Sequence, residues 1–463
     1  MGLFYIYRDC VPLFFIMTPE EIRKLSLTEL LSRDGFSCDC GKTHSVGNVR
    51  VQIESGAIEK IPSLLEEKGL KKPFVLSGHD TYLAAGEKVV SVLEKAGIRC
   101  SKYVYPTSPV LPTEETVGSL MMHYDFTCDC IIAVGSGVIN DTGKFIARAT
   151  GHEYFIVGTA PSMDGYASAS SSMERDGLKV SIDTTFARTI IGDLDILAEA
   201  PMHMLVSGVG DMLAKYISLV EWRIAHLLVG DYYCPVIAAL VENALQKVVE
   251  AAPGLLTRDK DAVAKVMEGM VIAGLSMSYA GVSRPASGME HYFSHIWDMR
   301  SLAFPEAKHD LHGIQCGYAT LLSLKVWDFI KTLTPDREKA LAYVRSFDPD
   351  EWNQKLLSFI GPGAQAMVDL EKKEKKYDPE KHAVRLEKII ENWDEIMKIA
   401  SGLPAYEDVL TLMEAIGAPT SPHDIGYTDD EIFTTFTMTK DIRDKYIGSR
   451  LLWDLGELDN MEF

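Results

Sequence analysis

Residues 131–144 read IIAVGSGVINDTGK, and this stretch decides the fold. A buried apolar run ends at Gly135-Ser136-Gly137 and gives way at once to a helix. Glycines at such a junction let the backbone approach a ligand closely, and the free amides of the first helical turn suit a pyrophosphate. The third glycine of the dinucleotide fingerprint is missing, because position 140 is Asn. The pair alone reads as a phosphate cradle or as a plain tight turn. Asp141 inside the helix start would repel a phosphate and reads instead as a cap or a backbone partner.

Working outward, Phe74-Val75-Leu76 is another apolar run, closing at Ser77-Gly78 and followed by an amphipathic stretch over 82–96 that stops at Gly97. Residues 102–105 read as a strand, 114–124 as a helix, and 130–134 and 155–157 as buried strands. Strands alternating with helices imply a parallel sheet with crossovers. Beyond about residue 203 the period changes to that of helices, punctuated by Pro235, Pro253, Pro285, Pro305 and Gly361-Pro362-Gly363. The expected plan is an extension with a Cys-rich segment over 1–45, an α/β nucleotide-binding domain over 46–203, and an all-α metal-binding domain over 204–463. The cleft between the last two is the natural ligand site.

Composition limits the partners. The 463 residues, 47% hydrophobic and 24% charged, suit a packed globular protein of about two domains. Lys plus Arg is 46 against Asp plus Glu 66, a formal charge of −20, which disfavours nucleic acid and anionic membranes as partners. No apolar run approaches the roughly 20 residues of a spanning helix. Eight cysteines in so long a chain read as reduced thiols of a cytoplasmic protein. Met17 precedes Thr18-Pro19-Glu20-Glu21, a capped helix start, so residues 1–16 read as a poorly structured extension with Met17 as the start.

Three further groups of residues carry chemistry. The loop GTAPSMDGYAS over 158–168 sets Thr159, Ser162 and Ser168 around Asp164 at the end of a strand, either a ligand loop or a capped helix start. Asp211 and Lys215 share a helix face in GVGDMLAKY, His291 and His295 do so in SGMEHYFSH, and His312 opens a helix in LHGIQCGY. One carboxylate and two imidazoles on three helices suit a divalent ion with open positions, with His295 competing with His312 as a ligand. Cys38, Cys40 and His44 offer zinc three ligands, and Cys128 and Cys130 repeat the Cys-Asp-Cys pattern, but the incomplete set is not counted as a site.

The ordered series GSGVINDTGK, GTAPSMDGYAS, GVGDMLAKY, SGMEH with a further His, LHG and IRDKYIGSRLLWDLG resembles the bacterial glycerol-1-phosphate dehydrogenases, as does the CxCGxxH segment near the start. The match runs from about residue 25 to 458. The resemblance implies the fold shared by iron-type alcohol dehydrogenases and dehydroquinate synthases: a Rossmann-like N-terminal domain, an all-α C-terminal domain, and a metal in the cleft. It places metal ligands at Asp211, His291 and His312. NAD or NADP contacts fall at Gly137, Val138, Ile139, Asn140, Asp141, Thr159, Ala160, Pro161, Ser162 and Ser168, and catalytic or substrate roles at Asp164, Asp211 and His295. The implied reaction is reversible reduction of dihydroxyacetone phosphate to sn-glycerol 1-phosphate by a homodimer. Zinc, nickel and iron all suit the ligands.

His295 is assigned the proton relay because an ordinary imidazole titrates near neutrality. Lys215 either orients Asp211 or neutralises the substrate phosphate. Two departures from the family pattern stand out. Gly78 occupies the place of an acid expected to bond the adenine ribose, with Asp80 two residues on, which favours tolerance of NADPH. Ile314-Gln315 follows LHG where Glu-Gln is usual, which weakens support for the third ligand. Rival readings are a polyol dehydrogenase, a dehydroquinate synthase-like lyase and a non-catalytic metal-binding descendant. The lyase branch generally has Glu where this chain has Asp211, and lacks the IRDKY tail.

Overall fold

The computed structural model describes residues 16–463; the extension expected over 1–16 lies, apart from Ile16, outside them. Ile16 bridges to Ser37, and Thr18 and Glu21 form the capping box that starts the helix Pro19–Arg23. Two short strands follow, β1 (Phe36–Ser37) and β2 (Thr43–His44), paired antiparallel.

The main sheet contains β3 (Arg50–Glu54), β4 (Pro73–Gly78), β5 (Ser101–Tyr105), β6 (Cys130–Gly135) and β7 (Glu153–Gly158). After β7 comes an antiparallel hairpin, β8 (Ser170–Arg175) and β9 (Leu178–Asp183), before β10 (Thr189–Asp193) returns to the sheet. Sheet order is β3-β10-β7-β6-β4-β5, every pair parallel. Both faces are covered, as parallel sheets require. Phe74, Leu76, Ile131, Ala133 and Ile156 point into one apolar cluster, while Val75, Ile132, Val134 and Val157 point into another. The chain runs outward from β4 to β5 and then restarts on the other side of β4 with β6. That reversal is a topological switch point, and the Gly135–Gly137 turn lies at its carboxyl end.

From Met202 onward the described residues form helices and turns only. The helices Met202–Leu213, Lys215–Val229, Pro235–Ala251, Lys260–Ala280, Met289–Ala303 and His312–Lys331 carry most of the apolar core. That core is continuous with one face of the sheet, so the two halves pack directly on each other. The result is an α/β domain joined to an all-α domain. The β8–β9 hairpin was not legible in the sequence, since its alternation is polar and half-exposed. It reaches the helical half through Lys179, which pairs with buried Asp298.

Candidate active site

The helices that carry Asp211 and His312 touch at their backbones. A Cβ on Gly313 would lie 1.9 Å from the carbonyl oxygen of Ser207, and one on Gly210 would lie 2.2 Å from that of Gly313. Only glycine permits this crossing of Met202–Leu213 over His312–Lys331. The small residues of SGVGD and HGIQCG therefore set the spacing of two candidate ligands.

His291 enters from the neighbouring helix, with its Nε2 3.8 Å from Asp211 Oδ1. The His291 and His312 rings are 5.0 Å apart, centre to centre. Each imidazole is oriented through its other nitrogen. His291 Nδ1 lies 2.8 Å from Glu290 Oε1, and His312 Nδ1 lies 2.9 Å from Ser294 Oγ. The Ser294 hydroxyl in turn donates to Gln315 Oε1 at 2.7 Å. Such partners fix the tautomer and leave Nε2 as the ligand atom, so the donor set fits a divalent ion. Ile314 is buried in the core, and Ser294 with Gln315 holds the ring.

Lys215 is fully buried and bonds Asp211 Oδ1 at 2.7 Å and Asp164 Oδ2 at 2.8 Å. Ala214 keeps right-handed helical angles, so the i, i+4 relation survives a break between two helices. Burial opposes the Lys215 charge, but Asp164 and Asp211 outweigh it and raise its pKa. Burial, then the Asp211 charge, raises the Asp164 carboxyl, against the pull of Lys215. The Asp164 amide donates to Asp211 Oδ2 at 2.9 Å, tying the loop after β7 to the ligand helix.

His295 lies beside these groups, its ring centre 6.1 Å from that of His312 and 6.5 Å from that of His291. Burial pushes its pKa well below the ordinary imidazole value, with the Arg443 and Lys179 charges acting in the same direction. The near-neutral titration on which the relay reading leaned is therefore not retained, and the ring is held neutral. Burial also lowers His312, to about 4, followed by the charge of Lys179.

The loop candidates line the seam between the carboxyl edge of the sheet and the helices. Thr159 N donates to the Gly135 carbonyl at 3.1 Å, joining the turns after β7 and β6. Thr159, Ala160, Ser162 and Ser168 are buried, and the Ser162 carbonyl accepts from Ser207 Oγ at 2.9 Å. Pro161 abuts Gly208, where a Cβ would come 1.9 Å from the Pro161 oxygen. Gly137 opens the helix Gly137–Thr150, with Val138 in its first turn and the Ile139 side chain packed over Gly135. Asn140 is wholly buried, donating to the Gly165 carbonyl at 3.0 Å and accepting from Tyr154 Oη at 2.9 Å. Asp141 accepts from Ser172 N at 3.1 Å and pairs with Lys144 at 2.8 Å, the backbone-partner role read for it. Asp80 accepts from Ser108 Oγ at 2.5 Å, so its carboxylate is already engaged.

Sequence reasoning missed several residues. Cys316 Sγ lies 3.6 Å from His312 Nε2, and its position one helical turn after His312 was the available signal. Glu290 and Ser294 flank His291 in the motif, but nothing in their spacing marks them as the supports of His291 and His312 respectively.

The fold and these residues now stand beside known proteins. A model of the iron-containing alcohol dehydrogenase family matches residues 52–201. The structure superposes on a probable glycerol dehydrogenase from Sinorhizobium meliloti with a TM-score of 0.58 at 14% identity, covering 89% of this chain and 96% of that one. This is the iron-containing alcohol dehydrogenase fold. The chain is 28% identical over 407 residues to glycerol-1-phosphate dehydrogenase, NAD(P)+, of Halalkalibacterium halodurans, covering 87% of this chain and 92% of that one. It is 32% identical over 295 residues to the protein of that name from Bacillus licheniformis, covering 63% and 73% respectively. The chain belongs to the glycerol-1-phosphate dehydrogenase family.

Proposed function

We propose that this protein catalyses the reversible NAD(P)H-dependent reduction of dihydroxyacetone phosphate to sn-glycerol 1-phosphate, using one divalent ion of zinc, nickel or iron. The observation that supports the reading is that His291 lies close to both Asp211 and His312, beside the loop that follows β7. Asp211, His291 and His312 would hold the ion. Gly137 to Asp141, with Thr159 to Ser162 and Ser168, would hold the dinucleotide across the switch point. When bound, the ion supplies Lewis acidity at the ketone oxygen and the nicotinamide supplies the hydride.

The rest of the chemistry belongs to the chain. Lys215 bonds both Asp164 and Asp211 and offsets part of their buried charge, which orients the Asp211 oxygens. Because Lys215 is already bonded to both acids, it suits orienting Asp211 better than gripping a phosphate. His295, held neutral, passes a proton between solvent and the substrate oxygen without storing it. Gly78 leaves no carboxylate side chain at the end of β4, which favours acceptance of NADPH alongside NADH.

The test is oxidation of NADH and NADPH by the metal-loaded protein with dihydroxyacetone phosphate, with dihydroxyacetone and a chelator as controls. Turnover confined to the phosphorylated ketone and abolished by the chelator is expected. Activity on free dihydroxyacetone alone makes the protein a polyol dehydrogenase instead. Among the described residues no helix is long and apolar enough to cross a membrane. Light scattering on the purified protein tests the homodimer that the family resemblance implies.

A further inference from the structure

A second group of metal-ligating side chains lies outside the active site. Cys38 and Cys40 stand between β1 and β2, and His44 ends β2. The fourth member, Cys234, comes from a position 190 residues further along the chain, immediately before the helix Pro235–Ala251. It supplies the ligand that the sequence segment lacked. Cys128 and Cys130 take no part in the group.

The distances suit one ion. Cys38 Sγ lies 3.0 Å from Cys40 Sγ, 3.4 Å from Cys234 Sγ and 3.4 Å from His44 Nε2. His44 Nε2 lies 3.3 Å from Cys40 Sγ and 3.6 Å from Cys234 Sγ. A tetrahedral zinc ion with its usual bond lengths needs about 3.8 Å between sulfurs and about 3.5 Å from sulfur to nitrogen. Only small shifts of side chains separate the arrangement from that geometry. His44 is 1% exposed, and its Nδ1 lies 2.9 Å from the Tyr279 carbonyl, which leaves the Nε2 lone pair facing the thiols. Cys38 and Cys234 are buried as well.

Supporting contacts surround the group. The Ile237 amide, in the first turn of its helix, donates to Cys234 Sγ at 3.5 Å. Tyr232 Oη lies 3.4 Å from Cys40 Sγ, and Lys42 Nζ sits 3.4 Å from the centre of the same tyrosine ring. Three thiolates and one imidazole around a dication carry a net charge of −1, and Lys42 is the nearby cation that offsets it. Four protein ligands leave no open position, which is the mark of a structural site. The segment it would anchor is built of two-residue strands and short helices, with Ile22, Leu30 and Phe36 buried in the main core.

We propose that Cys38, Cys40, His44 and Cys234 bind one structural zinc ion that fastens the N-terminal segment to the helical domain. Binding releases one proton from each thiol and transfers no electrons.

The test is zinc content by mass spectrometry after dialysis against EDTA, measured on the wild-type protein, His291→Ala, Cys40→Ser and Cys234→Ser. About one zinc per chain is expected to survive in the wild type and in His291→Ala, falling to near none in the two serine variants. Cobalt loaded in place of zinc should show thiolate charge-transfer absorption in both the wild type and His291→Ala. That readout holds even if the serine variants fail to fold. A wild-type protein without retained zinc overturns the proposal, as does zinc that disappears with His291→Ala but survives Cys234→Ser. Thiol titration in denaturant without reductant should find all eight cysteines free. A shortfall with no zinc present would replace the ion with a disulfide.

Discussion

The two clusters share only the imidazole as a ligand type and differ in completeness. Asp211, His291 and His312, the three proposed ligands, come from three long helices, and their neighbours include a lysine, a serine, Cys316 and a third histidine. At Cys38, Cys40, His44 and Cys234 four ligands close around one point, between a small hairpin and a helix start. Open coordination allows substrate to enter, whereas closed coordination holds parts of a chain together. The contrast teaches that the surrounding scaffold follows the task. The open set rests on long helices packed in the core, and the closed set joins a small hairpin to the start of a helix.

The sharpest break in that comparison is His312→Ala. It should empty the open set and reduce turnover by about a thousandfold or more, since a Lewis acid contributes several kcal/mol to such a barrier. Thermal unfolding should change little, and a fall in stability as large as that of Cys234→Ser would erase the distinction between the clusters. Next is His295→Ala, expected to lower kcat by about a hundredfold while metal content stays constant. Unchanged kcat would remove His295 from the mechanism.

Smaller effects sharpen the picture. Ser294→Ala takes away the acceptor for His312 Nδ1 and should weaken metal affinity by about 10- to 100-fold, read by competition with a chromogenic chelator. Equal affinity would mean that helix packing alone orients the ring. Gly313→Ala tests the crossing itself, because the added carbon meets the Ser207 carbonyl oxygen at 1.9 Å. A loss of roughly 1–3 kcal/mol in urea unfolding is expected, accompanied by reduced metal affinity. Lost stability with intact affinity would show that the ligands tolerate a looser crossing.

Much of this was legible before any coordinates. The alternation of strands and helices up to β7 and the helical period beyond Met202 gave the two-part architecture. The i, i+4 pairing of Asp211 with Lys215 followed from helix geometry, and the bond between them is present at 2.7 Å. The hairpin β8–β9 escaped notice because half-exposed polar strands lack the apolar alternation that announces a buried one. His295 shows a different gap. Its spacing placed it near the ligands, but the effect of Arg443, more than a hundred residues away, on its protonation had no local signal.

Local order thus determined which residues could share a helix face, where strands end at glycine, and which side chains offer ligand atoms. Those properties depend on neighbours within a few positions, through the fixed periods of helix and strand. Tertiary structure alone decided that Gly210 and Gly313 touch, that Ser294 and Gln315 hold His312, and that Cys234 completes the set begun by Cys38. Each of these joins positions far apart along the chain, or distinct elements, and such meetings are set by packing of the whole core rather than by any local preference.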